Sequence, residues 1–188
     1  MQSTTPLPHR PSTPTERGAT VWLTGLPSAG KTTIAHALAD RLRAEGHRVE
    51  VLDGDELRAS LSQDLGFSRE DRHLNVTRIG FVAQKLAAHG VKVLVAVIAP
   101  YADSRAAVRR QHADGGTEFL EVHVATPLTV CAERDVKGLY ARQVPGLTGL
   151  DAPYEPPLRP ELRVRTQERE IAESAADVHT LLTERGLA

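Results

Sequence analysis

The sequence predicts a single α/β domain with a five-stranded parallel sheet flanked by helices, and three observations lead to this prediction. Short apolar runs rich in valine and leucine alternate along the chain with longer segments of helical periodicity. This strict alternation favours parallel strands joined by right-handed crossovers. Polar clusters follow the strands, where sheets of this kind bind their ligands. We therefore expect the function to reside at the carboxyl edge of the sheet.

The first strand, Val21–Thr24, leads into a glycine-rich turn and then a helix. Residues Gly25–Thr32 fit G-x-x-x-x-G-K-[ST], the phosphate-binding loop, in which backbone N–H groups and a helix N-terminus face phosphate oxygens. A chance match is the alternative, but a strand before the turn and a helix after it are the context that the motif requires. The predicted fold is therefore that of a P-loop NTPase. The residues predicted to bind ATP are Gly25, Leu26, Pro27, Ser28, Ala29, Gly30, Lys31, Thr32 and Thr33.

The next elements continue the alternation. Alanine and leucine at helical spacing predict a helix from the loop to Gly46, where glycine ends it. Residues 49–52 predict a second strand, closed by Asp53-Gly54-Asp55. A helix is predicted over 70–89, because apolar residues recur there on one face and a glycine follows.

The second half of the chain completes the sheet. Residues 91–98 form a branched apolar run, interrupted by Lys92, which is typical of a strand buried on both faces. A helix over 103–112 and a strand over 119–124 follow, and Pro127 begins a helix that reaches about residue 135.

The chain closes with an irregular segment, a strand and a helix. Residues 136–160 are rich in glycine and proline, and long loops of this kind are often lids over active sites. Apolar residues 162–164 predict a fifth strand, and 168–185 predict the last helix.

The composition argues against two classes of partner, nucleic acids and membranes. A net charge of −1 over 188 residues argues against a nucleic-acid partner. There is no apolar run long enough to span a membrane and no apolar signal core, so we expect no membrane association. Residues 1–17 are rich in proline, serine and threonine and are predicted to be a disordered tail, which leaves 18–188 as the predicted P-loop domain. Cys131, the only cysteine, is expected to be a packed thiol in a cytoplasmic protein.

The acids Asp53 and Asp55 distinguish a kinase from other P-loop proteins. The only asparagine, Asn75, is not followed by the lysine of a guanine-reading Asn-Lys-x-Asp motif, and the strand at 91–98 ends without the acid of motor ATPases. Acids after the second strand favour phosphoryl transfer to a small hydroxyl compound, although Asp-Gly-Asp is also a common turn composition. We expect Asp53 to hold Mg²⁺ through water and Asp55 to accept or orient the acceptor's hydroxyl proton.

Several further segments, taken together, resemble the adenylylsulfate kinase family. The resemblance runs in order over about 18–165, almost all of the predicted domain. Its segments are Gly25–Thr33, Asp53–Arg58, Leu65–Ser68, Asp71–Arg72 with Asn75, Ile98–Tyr101, Arg134–Tyr140, Thr148–Asp151 and Pro153–Glu155.

The resemblance implies an activity and a set of residues. The family uses MgATP to phosphorylate the 3′-hydroxyl of adenosine 5′-phosphosulfate (APS), giving 3′-phosphoadenylyl sulfate for sulfate assimilation, and the resemblance also implies a homodimer. Lys31, Asp53 and Asp55 would be catalytic, with Thr32 and Asp53 at the metal and Arg134 near the ATP base. The acceptor would be bound by Asp55, Arg58, Phe67, Arg72, Asn75, Ile98, Ala99, Lys137, Leu139 and Leu147.

The chemistry of the acceptor agrees with these implied contacts. Arg58, Arg72 and Lys137 would neutralise an anionic phosphosulfate, although arginines on solvated helix faces are the ordinary alternative. Phe67 would stack on the acceptor's adenine, and its neighbours suggest an exposed turn.

Three departures from the family pattern leave alternatives open. Ala99 stands where many members have serine, so a phosphoenzyme is excluded there and we expect direct in-line transfer. Leu147 stands where phenylalanine usually covers the adenine, and Ala102 and a shortened lid also differ. One alternative is therefore a divergent kinase for another small nucleotide or alcohol. The other is a non-catalytic nucleotide-binding partner of a sulfurylase.

Overall fold

The computed structural model describes residues 16–188, so the predicted tail lies outside the described residues except for its last two. One parallel sheet has the strand order β2-β3-β1-β4-β5, which confirms the predicted single α/β domain. The strands are β1 Ala19–Thr24, β2 Val49–Asp53, β3 Lys92–Ala96, β4 Glu118–Val124 and β5 Leu162–Val164. The helices are α1 Lys31–Ala44, α2 Gly54–Ser60, α3 Arg69–Ala88, α4 Ala102–Asp114, α5 Leu128–Arg134 and α6 Ile171–Glu184.

Helices cover both faces of the sheet, and β1 shows how the alternation of side chains builds two cores. Val21 and Leu23 point to the face covered by α1 and α6, where they join a cluster that includes Leu38 and Leu182. Trp22 points to the opposite face and packs in a second cluster with residues of α3 and α4. The central strand is therefore buried on both sides, as expected of a parallel sheet.

Two elements differ from the sequence prediction. The helix α2 was not predicted as an element of its own, because it buries no side chain and so shows no apolar periodicity. Instead the Asp53 carboxylate caps it by accepting the Asp55 N–H at 2.9 Å. The strand β3 ends at Ala96 rather than at residue 98, and beyond it Ala99 takes a left-handed φ of 44° that no strand residue can adopt.

Lys92, the one polar residue in the apolar run of β3, anchors the chain before β1. Its side chain is 2% exposed, and its ammonium group donates to the Arg17 carbonyl and lies 3.4 Å from the Glu16 carboxylate. Burial lowers the pKa of Lys92. The apolar stem of the lysine therefore completes the core while its charge is paired at the edge of the domain.

Residues 136–160 consist of successive turns with one isolated bridge, Thr148 to Ala152, and contain no regular helix or strand. Tyr140 and Leu147 nevertheless bury their side chains in the core. Among the described residues, no helix combines the length and apolar character needed to cross a bilayer. Cys131 is fully buried, as predicted, and burial raises the pKa of its thiol.

We expect acid to destabilise the fold through His123. Burial, with help from the nearby Arg163 and Arg105, lowers the pKa of this histidine to about 4. The unfolded chain would take up a proton near pH 6.5 and the folded chain would not, so the free energy of unfolding should fall from pH 6.5 toward 4. The slope approaches ~1.4 kcal/mol per pH unit. Urea titrations at several pH values test this; His123→Phe should flatten the dependence, and an unchanged slope in that variant would contradict it.

Candidate active site

The turn between β1 and α1 has the backbone that a phosphate cradle needs. A Cβ at Gly25 would lie 2.5 Å from the Val124 carbonyl oxygen, so only glycine permits this close approach of the loop to β4. Gly30 has a φ of 103° immediately before α1, and Ser28 a φ of 60°. The loop therefore reverses direction and presents the N-terminus of a 14-residue helix to the site.

Lys31 lies within this loop, with its side chain only 8% exposed. Its ammonium group donates to the carbonyl oxygens of Gly25 and Leu26, at 3.0 and 2.7 Å. Burial lowers the pKa of Lys31 to about 8, so the group stays largely charged at neutral pH. It is a fixed positive charge held against the loop that would wrap a phosphate chain.

Thr32 and Asp53 meet at the start of α1 and the end of β2. The Thr32 hydroxyl donates to Asp53 Oδ2 at 2.7 Å, while Oδ1 of the same carboxylate caps α2. These are hard oxygen donors, which Mg²⁺ prefers, and Mg²⁺ in such sites keeps several waters and takes few protein ligands. Within residues 16–188, no cluster of three or more His, Cys, Asp or Glu forms a closed metal cage. The pair therefore fits a magnesium ion bound jointly with a nucleotide.

One cavity of about 530 Å³ joins the phosphate loop to the carboxyl ends of β2 and β3. It brings together almost all of the predicted site residues, although they come from seven separate parts of the chain. The predicted residues that line it are Pro27, Ser28, Ala29, Gly30, Lys31, Thr32, Thr33, Asp53, Asp55, Arg58, Phe67, Arg72, Asn75, Ile98, Ala99, Arg134, Lys137 and Leu139.

Another part of the cavity lining carries an aromatic ring with two cations beside it. Phe67 is 69% exposed, and the guanidinium carbons of Arg58 and Arg72 lie 4.1 and 5.6 Å from its ring centroid. Arg72 also donates to the Thr148 hydroxyl and the Gly146 carbonyl, both at 2.9 Å. It therefore ties the start of α3 to the segment 136–160.

Two further polar side chains belong to the cavity lining. Among residues 16–188, Asn75 has an oxygen without a partner, and Lys137 is paired with Asp55. Asn75 Oδ1 is buried without a hydrogen-bond partner in the part of the chain described, and its residue lines the cavity. An unpaired buried amide oxygen is costly, so a ligand donor would satisfy it. Lys137 forms an ion pair with Asp55, which brings the segment 136–160 over α2.

Three of the predicted residues lie outside the cavity lining. Gly25 and Leu26 are at the start of the loop, where their carbonyls hold Lys31. Leu147 is different: its side chain is 7% exposed and belongs to the main core cluster. The structure does not place it opposite Phe67 as the second cover of an adenine, because residues 139–152 fold into tight turns that direct it inward.

Some residues that support the site were not singled out from the sequence. Thr166 accepts from Arg134 through both its hydroxyl, at 2.8 Å, and its carbonyl, at 2.9 Å, and so fixes the guanidinium at the cavity wall. The Thr24 hydroxyl donates to the Ile98 carbonyl at 2.5 Å. Neither threonine belongs to a recognisable motif. The one signal in the sequence is position, because Thr166 follows β5 and Thr24 ends β1.

The family model described as adenylylsulphate kinase matches residues 17–165, which is most of the chain. The chain belongs to the adenylylsulfate kinase family. A probable adenylyl-sulfate kinase of Synechocystis is 53% identical over 87% of this chain and 92% of its own length. The adenylyl-sulfate kinase of Microcystis aeruginosa is 51% identical over 91% of this chain and 94% of its own length.

Solved adenylylsulfate kinases share the architecture. The APS kinase of Mycobacterium tuberculosis, in complex with AMPPNP and APS, superposes with a TM-score of 0.87 at 45% identity, covering 89% of this chain and 99% of that one. The chain is therefore a kinase with the P-loop fold, and its cavity is the candidate active site of an adenylylsulfate kinase.

Proposed function

We propose that this chain transfers the γ-phosphoryl group of ATP directly to the 3′-hydroxyl of APS, giving 3′-phosphoadenylyl sulfate. The observation that carries the proposal is the single cavity in which a phosphate loop and a cationic, aromatic acceptor end face each other. Phosphoryl transfer is catalysed mainly by positioning and charge stabilisation, and this arrangement supplies both without a covalent intermediate.

Each half of the cavity has a defined role in the proposal. Lys31 and the loop N–H groups bind the β- and γ-phosphates, and Thr32 with Asp53 holds Mg²⁺, which would neutralise charge on those phosphates. The involvement of Asp53 in both the Thr32 contact and the α2 cap supports its assignment to the metal side. Asp55, two residues beyond that cap and 72% exposed, is left to orient the acceptor hydroxyl.

The acceptor would lie between α2, the start of α3 and the segment 136–160. Phe67 offers a face for the adenine, and Arg58, Arg72 and Lys137 offer charge for the phosphosulfate. Asn75 Oδ1 would take a hydrogen bond from the acceptor. The apolar Leu139 and the backbone of Ile98 and Ala99 complete the wall.

An acceptor screen with a coupled ADP assay tests the proposal. ADP release that requires APS, with appearance of the 3′-phosphorylated product, is the expected result. Release only with other nucleotides or small alcohols would assign the chain to a divergent kinase. Tight ATP binding without turnover on any acceptor would assign it to a non-catalytic role beside a sulfurylase.

Ala99→Ser should leave kcat within about twofold of the wild type, because direct transfer needs no hydroxyl at this position. Ala99 is buried and its φ of 44° is equally accessible to serine, so the backbone of the wall should not change. Initial rates at saturating ATP and APS measure the effect. A tenfold gain in kcat would contradict this prediction, because it would show that a hydroxyl at this position contributes to the transfer.

We also propose that the protein is a cytoplasmic homodimer. Leu74 and Phe81 lie seven residues apart on one face of α3, and both side chains are substantially exposed, as expected of a surface that a second copy covers. The free, buried Cys131 fits a reducing compartment. Sedimentation analysis tests the dimer, and a monomer at micromolar concentration would contradict it.

A further inference from the structure

The acceptor wall formed by Ile98 and Ala99 is held in place from behind by a buried arginine of α4. Arg105 is 3% exposed and does not line the cavity. Its Nη1 donates to the Ala99 carbonyl at 2.7 Å, its Nη2 to the Glu155 carbonyl at 2.6 Å, and its Nε to Glu121 Oε1 at 2.8 Å. All three sides of the guanidinium are therefore engaged, each by a different part of the chain.

These three contacts connect the sheet, the acceptor wall and the end of the segment 136–160. Glu121 lies in β4, beside the central strand β1, and its carboxylate holds Arg105 in one orientation. Ala99 has a left-handed backbone that alanine does not favour, so its carbonyl needs an external partner to keep it there. Arg105 supplies that partner.

Glu155 also holds the residues that directly follow this wall. Its N–H donates to the Pro100 carbonyl at 2.8 Å, and its Oε2 accepts the Ala102 N–H at 2.7 Å. Because Arg105 also holds the Glu155 carbonyl, the wall and the end of the segment 136–160 form one unit around the guanidinium.

We propose that Arg105 is a positioning residue for the acceptor: it fixes the backbone of Ile98 and Ala99 and, through Glu155, the end of the segment that covers the acceptor. The proposal rests on the proposed function, since it assigns that wall to APS. Arg105 touches neither the phosphate loop nor Lys31, so its influence should fall on the acceptor and not on ATP.

The same helix offers a matched control. Arg109 lies one turn further along α4 and pairs with the same Glu121 carboxylate and with Glu161, at 3.4 and 2.7 Å. Among the contacts of the described residues, it has none with the wall or with Glu155. The changes Arg105→Lys and Arg109→Lys both keep a positive charge near Glu121 and both remove a guanidinium fork, but only the first removes contacts with the Ala99 and Glu155 carbonyls.

Steady-state kinetics of the two variants test the proposal. Arg105→Lys should raise KM for APS about tenfold and leave KM for ATP within about twofold, whereas Arg109→Lys should leave both within about twofold. The positioning role of Arg105 would be overturned if its lysine variant left KM for APS unchanged or raised both KM values equally. It would also be overturned if the two variants had the same KM values. If Arg105→Lys does not fold, Glu121→Gln decides by the same criterion, because it weakens the carboxylate contact that orients Arg105 and keeps the arginine itself.

Hydrogen exchange separates this proposal from the proposed function. In Arg105→Lys, but not in Arg109→Lys, the Ala102 and Glu155 amides should exchange about tenfold faster than in the wild type, with or without APS. Unchanged exchange would overturn the positioning role. A wild type that does not turn over APS would instead refute the proposed function while leaving this measurement interpretable.

Discussion

Lys31→Ala is expected to lower kcat by at least about 10³-fold while the domain stays folded. The ammonium group is the only lysine charge inside the phosphate loop, held 3.0 and 2.7 Å from two loop carbonyls. Charge builds on the transferred phosphoryl group and the leaving oxygen, and a fixed cation stabilises it without reorganisation. The change removes that cation, and a small side chain leaves the loop backbone free to keep its turn.

Initial rates of ADP release with saturating APS measure this effect, and circular dichroism with a urea titration checks the fold. Lys85→Ala is the matched control, since Lys85 lies on α3 and does not line the cavity. That control should retain wild-type rates. If Lys31→Ala were about as active as the control, Lys31 would not stabilise the transferred phosphoryl group. The assignment of this cavity as the site of phosphoryl transfer would then be contradicted.

Asp55→Asn should lower kcat by about 10²- to 10⁴-fold, the range expected when a group that takes or orients a proton is lost. The substitution keeps the size of the side chain and the start of α2, because the cap is made by Asp53 and the Asp55 backbone N–H. It removes the negative charge that could accept the hydroxyl proton and that now pairs with Lys137. KM for ATP should change little.

Glu56→Gln is the control for this prediction. It makes the same chemical change on the next residue of α2, where the side chain is exposed and does not line the cavity. Each variant removes one negative charge from α2, so a difference in their kcat values shows that the position of the charge matters. Equal rates for Asp55→Asn and Glu56→Gln would show that Asp55 neither takes nor orients the acceptor's proton.

The sequence alone determined the fold and the position of the phosphate loop within it, because both are encoded locally. Apolar periodicity marks each buried strand and long helix, and the spacing from Gly25 to Thr32 allows one backbone path. It also indicated where Asp53 and Asp55 lie, since they directly follow a strand of a parallel sheet. The sequence did not predict helix α2, because this helix buries no side chain and so has no periodic pattern of apolar residues.

Only the tertiary structure decided what depends on contacts between distant segments. It placed Leu147 in the core within a series of backbone turns, whereas its motif position had suggested an adenine contact. It also brought Arg105 to Ala99 and Glu155, a residue 50 positions away along the chain. Side-chain direction in an irregular segment, and the partners of a buried charge, follow from how the whole chain packs, and no local pattern of residues specifies them.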